Sequence, residues 1–207
     1  MYLMKNYQAR SPINRASGFL IFSIFIFILY SCNGSVEYKR LKASELASGI
    51  RHDSLFLGFY FGMTEKEFFS VCWDLHKKGI MREGTSGASV YYPIKSFRYP
   101  ASMDFYPIFY EDQIVAIPAT ITYNSWAPWN THLHAENLQK EVLDIMTEWY
   151  GPGFIEVKNP SAMGGTAFVK VDGNRQVTIY YHDKTKVKVD FVDLISKKKR
   201  ESVTETQ

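Results

Sequence analysis

Cys72 and His76 stand four residues apart, the spacing that brings two side chains together on a helix, where a thiol and an imidazole could share a metal or act as nucleophile and base. Zinc takes three or four ligands, and no second helix offers a matching cysteine or a histidine pair. Cys72 also falls on one stripe with Phe68 and Leu75, where a thiol serves as a small core residue. His132, His134 and Glu136 are the one histidine cluster, but at a helix entrance only His132 and Glu136 would be neighbours, so exposed first-turn residues are expected. Glu141, Asp144 and Glu148 recur at the spacing of paired carboxylates; with Lys140 beside them, opposite the apolar stripe, they read as a solvated helix surface. The small-residue loops, 84–89 and Gly164–Gly165, lack both the lysine of a phosphate cradle and the Gly-x-Ser-x-Gly nucleophile turn. No nucleophile, base and ligand set converges, so the expectation is a protein with no catalytic residues, no metal and no cofactor.

Aromatic rings are the one excess. They make up 16% of the 207 residues and crowd the middle third. Strand alternation sends the members of Tyr91–Tyr92 and of Phe109–Tyr110 to opposite faces, leaving one ring of each pair outward. Tyr92, Tyr110, Trp126 and Trp129 are therefore candidate binding residues, either as a protein-docking patch or as a stacking platform for sugar.

The elements that must position these groups follow from periodicity. Thr64 with Glu67 three residues on is a capping box, opening a helix that carries Phe68, Val71, Cys72 and Leu75 and stops at Gly79. Residues 89–94 read as a short strand, and 103–110 and 114–123 as a hairpin turned by Glu111, Asp112 and Gln113. Pro107 and Pro118 predict that the hairpin arms lie at a sheet edge or carry bulges, because proline donates no ladder hydrogen bond. A second helix is expected over 132–150, ended by Gly151–Pro152–Gly153. Strands at 166–171, 176–181 and 185–191 follow, the last alternating Val187, Val189 and Phe191 with Lys186, Lys188 and Asp190. The fold class is α+β, two successive helix-then-antiparallel-meander units within 55–195. The sequence leaves open whether the halves, 55–125 and 126–195, share one sheet. Residues 32–54 read as a tether and 196–207 as a frayed basic and polar tail.

The formal net charge is +3, but Lys5, Arg10 and Arg15 fall within residues 1–31, which hold no acid, so the remainder is neutral. A neutral body gives no electrostatic reason for a nucleic-acid partner. The three cations precede an apolar run at 19–30, FLIFSIFIFILY, which as a helix spans roughly 18 Å, short of a bilayer core of roughly 30 Å. Leu29-Tyr30-Ser31-Cys32 follows it. The order of charge, apolar run and small residue before cysteine resembles a bacterial lipoprotein signal peptide. The resemblance implies cleavage before Cys32, acylation of that cysteine, and a mature chain in the cell envelope, in the outer membrane, with the membrane itself as partner through the lipid. Two or three acyl chains on one residue are what make such an anchor durable. With Cys32 so used, Cys72 is the one thiol left and no intramolecular disulfide can form.

Gly62-Met63-Thr64 with Glu67-Phe68, and the helix end Trp149-Tyr150-Gly151, resemble the small envelope lipoproteins of the outer-membrane assembly accessory and β-lactamase-inhibitor-like group. That resemblance implies a non-enzymatic protein that binds another envelope protein. The aromatic excess carries the alternative, a glycan-binding or carbohydrate-processing accessory lipoprotein.

Overall fold

Both helix-then-strands passes build a single sheet. The computed structural model describes residues 33–84 and 89–204, and the chain from Gly34 onward forms a unit of its own. Cys32 and the apolar segment before it lie outside the described residues. In chain order the elements are α1 (Asn33–Ala47), α2 (Glu65–Lys77), β1 (Arg82–Glu83), β2 (Val90–Ile94), β3 (Ala101–Phe105), β4 (Ile108–Tyr110) and β5 (Gln113–Tyr123), then a 3-10 turn at Thr131–Leu133. They continue with α3 (Ala135–Tyr150), β6 (Ile155–Lys158), β7 (Thr166–Asp172), β8 (Arg175–Tyr181), β9 (Lys186–Asp193) and α4 (Leu194–Thr204). The fold is α+β, with nine antiparallel strands in the order β1-β2-β3-β5-β9-β8-β7-β6 and β4 also on β5. The two passes meet where β5 pairs with β9 about Ala119↔Val189.

That junction decides between the two alternatives expected for the proline-bearing arms: β5 runs through the middle of the sheet, not along its edge, and the irregular ladder is the one found. The long arm expected at 103–110 is broken into β3 and β4 at Tyr106–Pro107, with a register shift beside Ile108. Phe105 faces Ala119 and Ile108 faces Ala116, so Pro118 sits opposite the break, where the ladder is already interrupted and its missing N–H leaves no gap of its own. Glu111 and Asp112 both take positive φ, 51° and 59°, the two-residue turn whose twist suits a hairpin.

Period-2 alternation decides the core. Ile117, Ala119 and Ile121 of β5, Val177 and Ile179 of β8, and Val187, Val189 and Phe191 of β9 are all buried on one face. α3 covers that face with Leu138, Val142, Ile145 and Met146, and α2 adds Phe68. Each such side chain, fully buried, stabilises the fold by about 1.5–3 kcal/mol. The loop between α1 and α2 contributes Phe56, Phe59, Phe61 and Met63 to the same core.

The opposite face is covered too. Tyr38, Leu41 and Leu46 of α1 pack with Val169, Val171 and Leu194, and the Tyr38 hydroxyl donates to Gln176 Oε1 at 2.7 Å. The first part of the segment read as a tether is therefore a packed helix. Its apolar stripe is only three residues wide, too sparse to stand out in sequence. The tail is helical as far as Thr204: Asp193 accepts from Ile195 N at 3.0 Å and Ser196 Oγ at 2.8 Å, supplying the cap that starts α4.

A partly buried polar knot fastens the stretch after α1 to the β7–β8 turn. Gly173 N donates to Glu45 Oε2 at 2.8 Å, His52 N to Asn174 Oδ1 at 2.7 Å, and Asn174 Nδ2 to Asp53 Oδ1 at 3.0 Å. Arg175 donates to Ser54 O at 2.8 Å and to Asp172 Oδ2 at 3.0 Å, and its guanidinium lies 4.6 Å from the centre of the Tyr150 ring.

Candidate functional site

An apolar concavity lies between α2 and the β1 edge of the sheet. α2 starts where the sequence places it. Glu67 N donates to Thr64 Oγ1 at 3.3 Å, and Glu67 Oε2 accepts from Thr64 N at 2.8 Å, so the capping box is complete. The Thr64 backbone N–H, and after it the Thr64 hydroxyl, which also donates to Glu67 Oε2 at 2.8 Å, hold the Glu67 carboxyl below its ordinary range. With the start fixed, Phe68 turns into the core, while Phe69, Trp73 and His76 recur at four and three residues along a second, outward stripe. Phe69 is 50% exposed and Trp73 60%.

These rings form one wall of an open groove of about 470 Å³. Met81, Arg82 and Glu83 form the other wall, and Cys72, Ser89 and Val90 also line it. The Trp73 indole stacks on the His76 imidazole with centroids 6.2 Å apart and planes at 21°, and Lys77 Nζ lies 5.1 Å from the Trp73 ring. Across the groove the Arg82 guanidinium covers Tyr91 at 4.2 Å. A second hollow, of about 380 Å³, shares His76, Met81 and Arg82 and adds Tyr91 and Pro93. The two hollows adjoin each other beside β1, which among the described residues pairs with β2 alone.

Cys72 and His76 do reach one groove, as their spacing allows, but His76 is engaged with Trp73. Burial pushes the Cys72 thiol up to about 11, so it is protonated at neutral pH and is a poor nucleophile. Among the described residues, no group of three or more His, Cys, Asp or Glu side chains is placed to hold a metal ion.

The histidine cluster is divided between two elements. His132 lies in the 3-10 turn, and His134 stands before α3 with Nε2 3.2 Å from Pro128 O, so α3 begins at Ala135, three residues later than expected. Of the three helix carboxylates, Glu141 departs from the expected solvated surface: it accepts from Arg98 N at 3.0 Å and from the Tyr123 hydroxyl at 3.1 Å, tying the β2–β3 connection to α3. Burial and the nearby Glu141 charge raise the Tyr123 hydroxyl well above its ordinary value.

The four rings singled out in sequence occupy different places. Tyr92 packs against the core, and its neighbour Tyr91 is the outward member of the pair. Tyr110 sits at the β4–β5 turn beneath Lys199, whose Nζ is 5.8 Å from the ring. Trp126 donates its indole N–H to Lys184 O at 3.0 Å and packs on the core, while Trp129 is 85% exposed. Tyr110 and Trp126 lie beyond opposite ends of the 11-residue β5, a separation of roughly 33 Å. Phe69 and Trp73 are not among the residues singled out from sequence; their signal is a second apolar line on a helix needing only one.

Comparison of the chain with protein-family models, with curated proteins and with solved structures finds no match.

Proposed function

We propose that this chain is a lipid-anchored protein of the cell envelope, tethered through Cys32 to the outer membrane, whose folded part catalyses nothing and binds another envelope protein. The observation that carries the binding role is the groove beside β1, where Phe69 and Trp73 are exposed on a helix whose other stripe already supplies the core. Large rings left in water beside an edge strand suit an extended polypeptide segment. Its backbone can pair along β1 while its apolar side chains enter the adjoining hollows. Protonated Cys72 and aromatic walls favour binding over chemistry there. The glycan reading draws less support, since Tyr92, Tyr110 and Trp126 occupy different places in the fold.

A photoreactive benzophenone amino acid at position 73, compared with one at position 129, tests the site in the native envelope. A discrete protein adduct from position 73, abolished by Phe69→Glu and not given by position 129, is expected. No adduct from position 73, or the same adduct from both, overturns the groove. The anchor has its own test, mass spectrometry of protein extracted from membranes. A diacylated N-terminal Cys32 is expected, and an N-terminus upstream of it or a bare thiol overturns the tether.

A further inference from the structure

The neutral total from residue 32 onward conceals a separation of charge across the sheet. α1 and α4 share one face: Leu194 at the start of α4 packs with Tyr38, Leu41 and Leu46, and Lys197 and Arg200 lie over Pro118, Asp190 and Val192. α1 holds Lys39, Arg40 and Lys42 against Glu37 and Glu45, and α4 holds Lys197, Lys198, Lys199 and Arg200 against Glu201, a net +4 for the pair. α2 and α3, on the other face, hold three lysines against seven acids, a net −4. Lys39, Arg40 and Lys198 are exposed, and Val36 and Ile195 stand out among them, 46% and 44% exposed.

We propose that the α1–α4 face lies against an anionic lipid surface, its cations on headgroup phosphates and Val36 and Ile195 in the interfacial zone. Cations interspersed with exposed aliphatic side chains match a headgroup layer, which offers both phosphate and hydrocarbon. The cations that already have partners keep an excess: Lys199 meets Glu111 at 2.6 Å and Lys197 meets Glu201 at 3.8 Å, both at the surface where such pairs exchange readily for other anions. The inference extends the tethered reading, because Cys32 is the residue before α1; acyl chains there would deliver this face to the bilayer. The groove beside α2, on the opposite layer, is then turned toward the periphery, where a partner can reach it.

Lysine acetylation, read by mass spectrometry on the full chain reconstituted in vesicles, tests the orientation. Vesicles of phosphatidylcholine alone are compared with vesicles in which a third of the lipid is phosphatidylglycerol. With phosphatidylglycerol, Lys39, Lys42 and Lys198 are expected to be labelled at least fivefold more slowly than without it, while Lys66 and Lys140 are unchanged. The protection should vanish near 1 M salt, where the Debye length is about 3 Å. An Arg40→Glu, Lys198→Glu chain, both positions exposed and unpaired with the core, should lose the protection while keeping its unfolding midpoint.

Equal labelling of all five lysines on both vesicles, or selective protection of Lys66 and Lys140, overturns the inference, as does equal protection by short duplex DNA in place of vesicles. Retention on pure phosphatidylcholine reports the anchor separately. A chain that leaves those vesicles yet shows the expected protection on the anionic ones refutes the anchor and keeps the face. A chain retained on both with uniform labelling keeps the anchor and refutes the face.

Discussion

Replacing Gly173 by alanine tests the polar knot that binds the stretch after α1 to the sheet. Gly173 has φ +54°, and a Cβ there would stand 2.2 Å from the Ile50 carbonyl oxygen and 3.0 Å from its carbon. A left-handed backbone costs a residue with a Cβ about 1–2 kcal/mol. The clash is with backbone on a connection held by hydrogen bonds, so residues 50–52 must withdraw. That strains the bonds from Gly173 N to Glu45 and from His52 N to the fully buried Asn174. Each such bond contributes about 0.5–1.5 kcal/mol, and leaving a buried partner unsatisfied costs more. A loss of about 3–5 kcal/mol follows, a large part of a stability of order 5–15 kcal/mol. Gly79→Ala is the control: its φ is +68°, and nothing lies within 4 Å of its Cβ position, so only the conformational cost applies. Urea unfolding followed by tryptophan fluorescence should show a much lower midpoint for Gly173→Ala than for Gly79→Ala, with unchanged slope. Equal losses in the two variants would refute the close approach of Ile50, and the fastening of the α1 connection with it.

Thr64→Ala removes the helix cap and should lower stability by about 1 kcal/mol by urea titration. Because the Glu67 carboxyl is held low in the folded state, its contribution is present above the unfolded carboxylate range and fades as pH falls through the folded value; Thr64→Ala removes the hydroxyl and keeps the backbone N–H, so that acid-side fall should shrink but persist. Alkylation of Cys72 by iodoacetamide should rise with pH toward an inflection near 11, and an inflection near that of a free thiol, about 8.5, contradicts its burial. Glu111→Gly relieves a positive φ at a hairpin turn and should stabilise the chain by about 1 kcal/mol in thermal unfolding, although it loses the exposed contact with Lys199.

The fold was legible where one local rule governed. Thr64 and Glu67 specify the start of α2 between themselves, and Val187, Val189 and Phe191 declare the buried face of β9 by alternation alone. What escaped depended on residues distant in sequence. Pro118 argues for an edge until the break at Tyr106–Pro107, a dozen residues earlier, is seen to lie opposite it. α1 is a helix because Val169 and Val171 need a cover, a demand invisible in its own composition. Alternation announces that one of Tyr91 and Tyr92 faces out but not which; Tyr92 turns inward because Leu55, Phe56 and Trp149 wait on that side. The groove was not read from sequence: Phe69 and Trp73 show only as a second apolar line on α2, and the far wall, β1, is two residues long and carries no strand pattern.

Binding of a partner's extended segment in the groove beside β1 is read out by an affinity measured across variants. The segment recovered by crosslinking from position 73 is synthesised as a peptide and titrated against the native chain, Trp73→Ala and Trp129→Ala. Loss of a large ring at the centre of an interface weakens binding by roughly 2 kcal/mol, about thirtyfold. That loss is expected for Trp73→Ala, with Trp129→Ala, the more exposed tryptophan, left within a factor of about two. Undiminished affinity in Trp73→Ala, or a larger loss in Trp129→Ala, contradicts it.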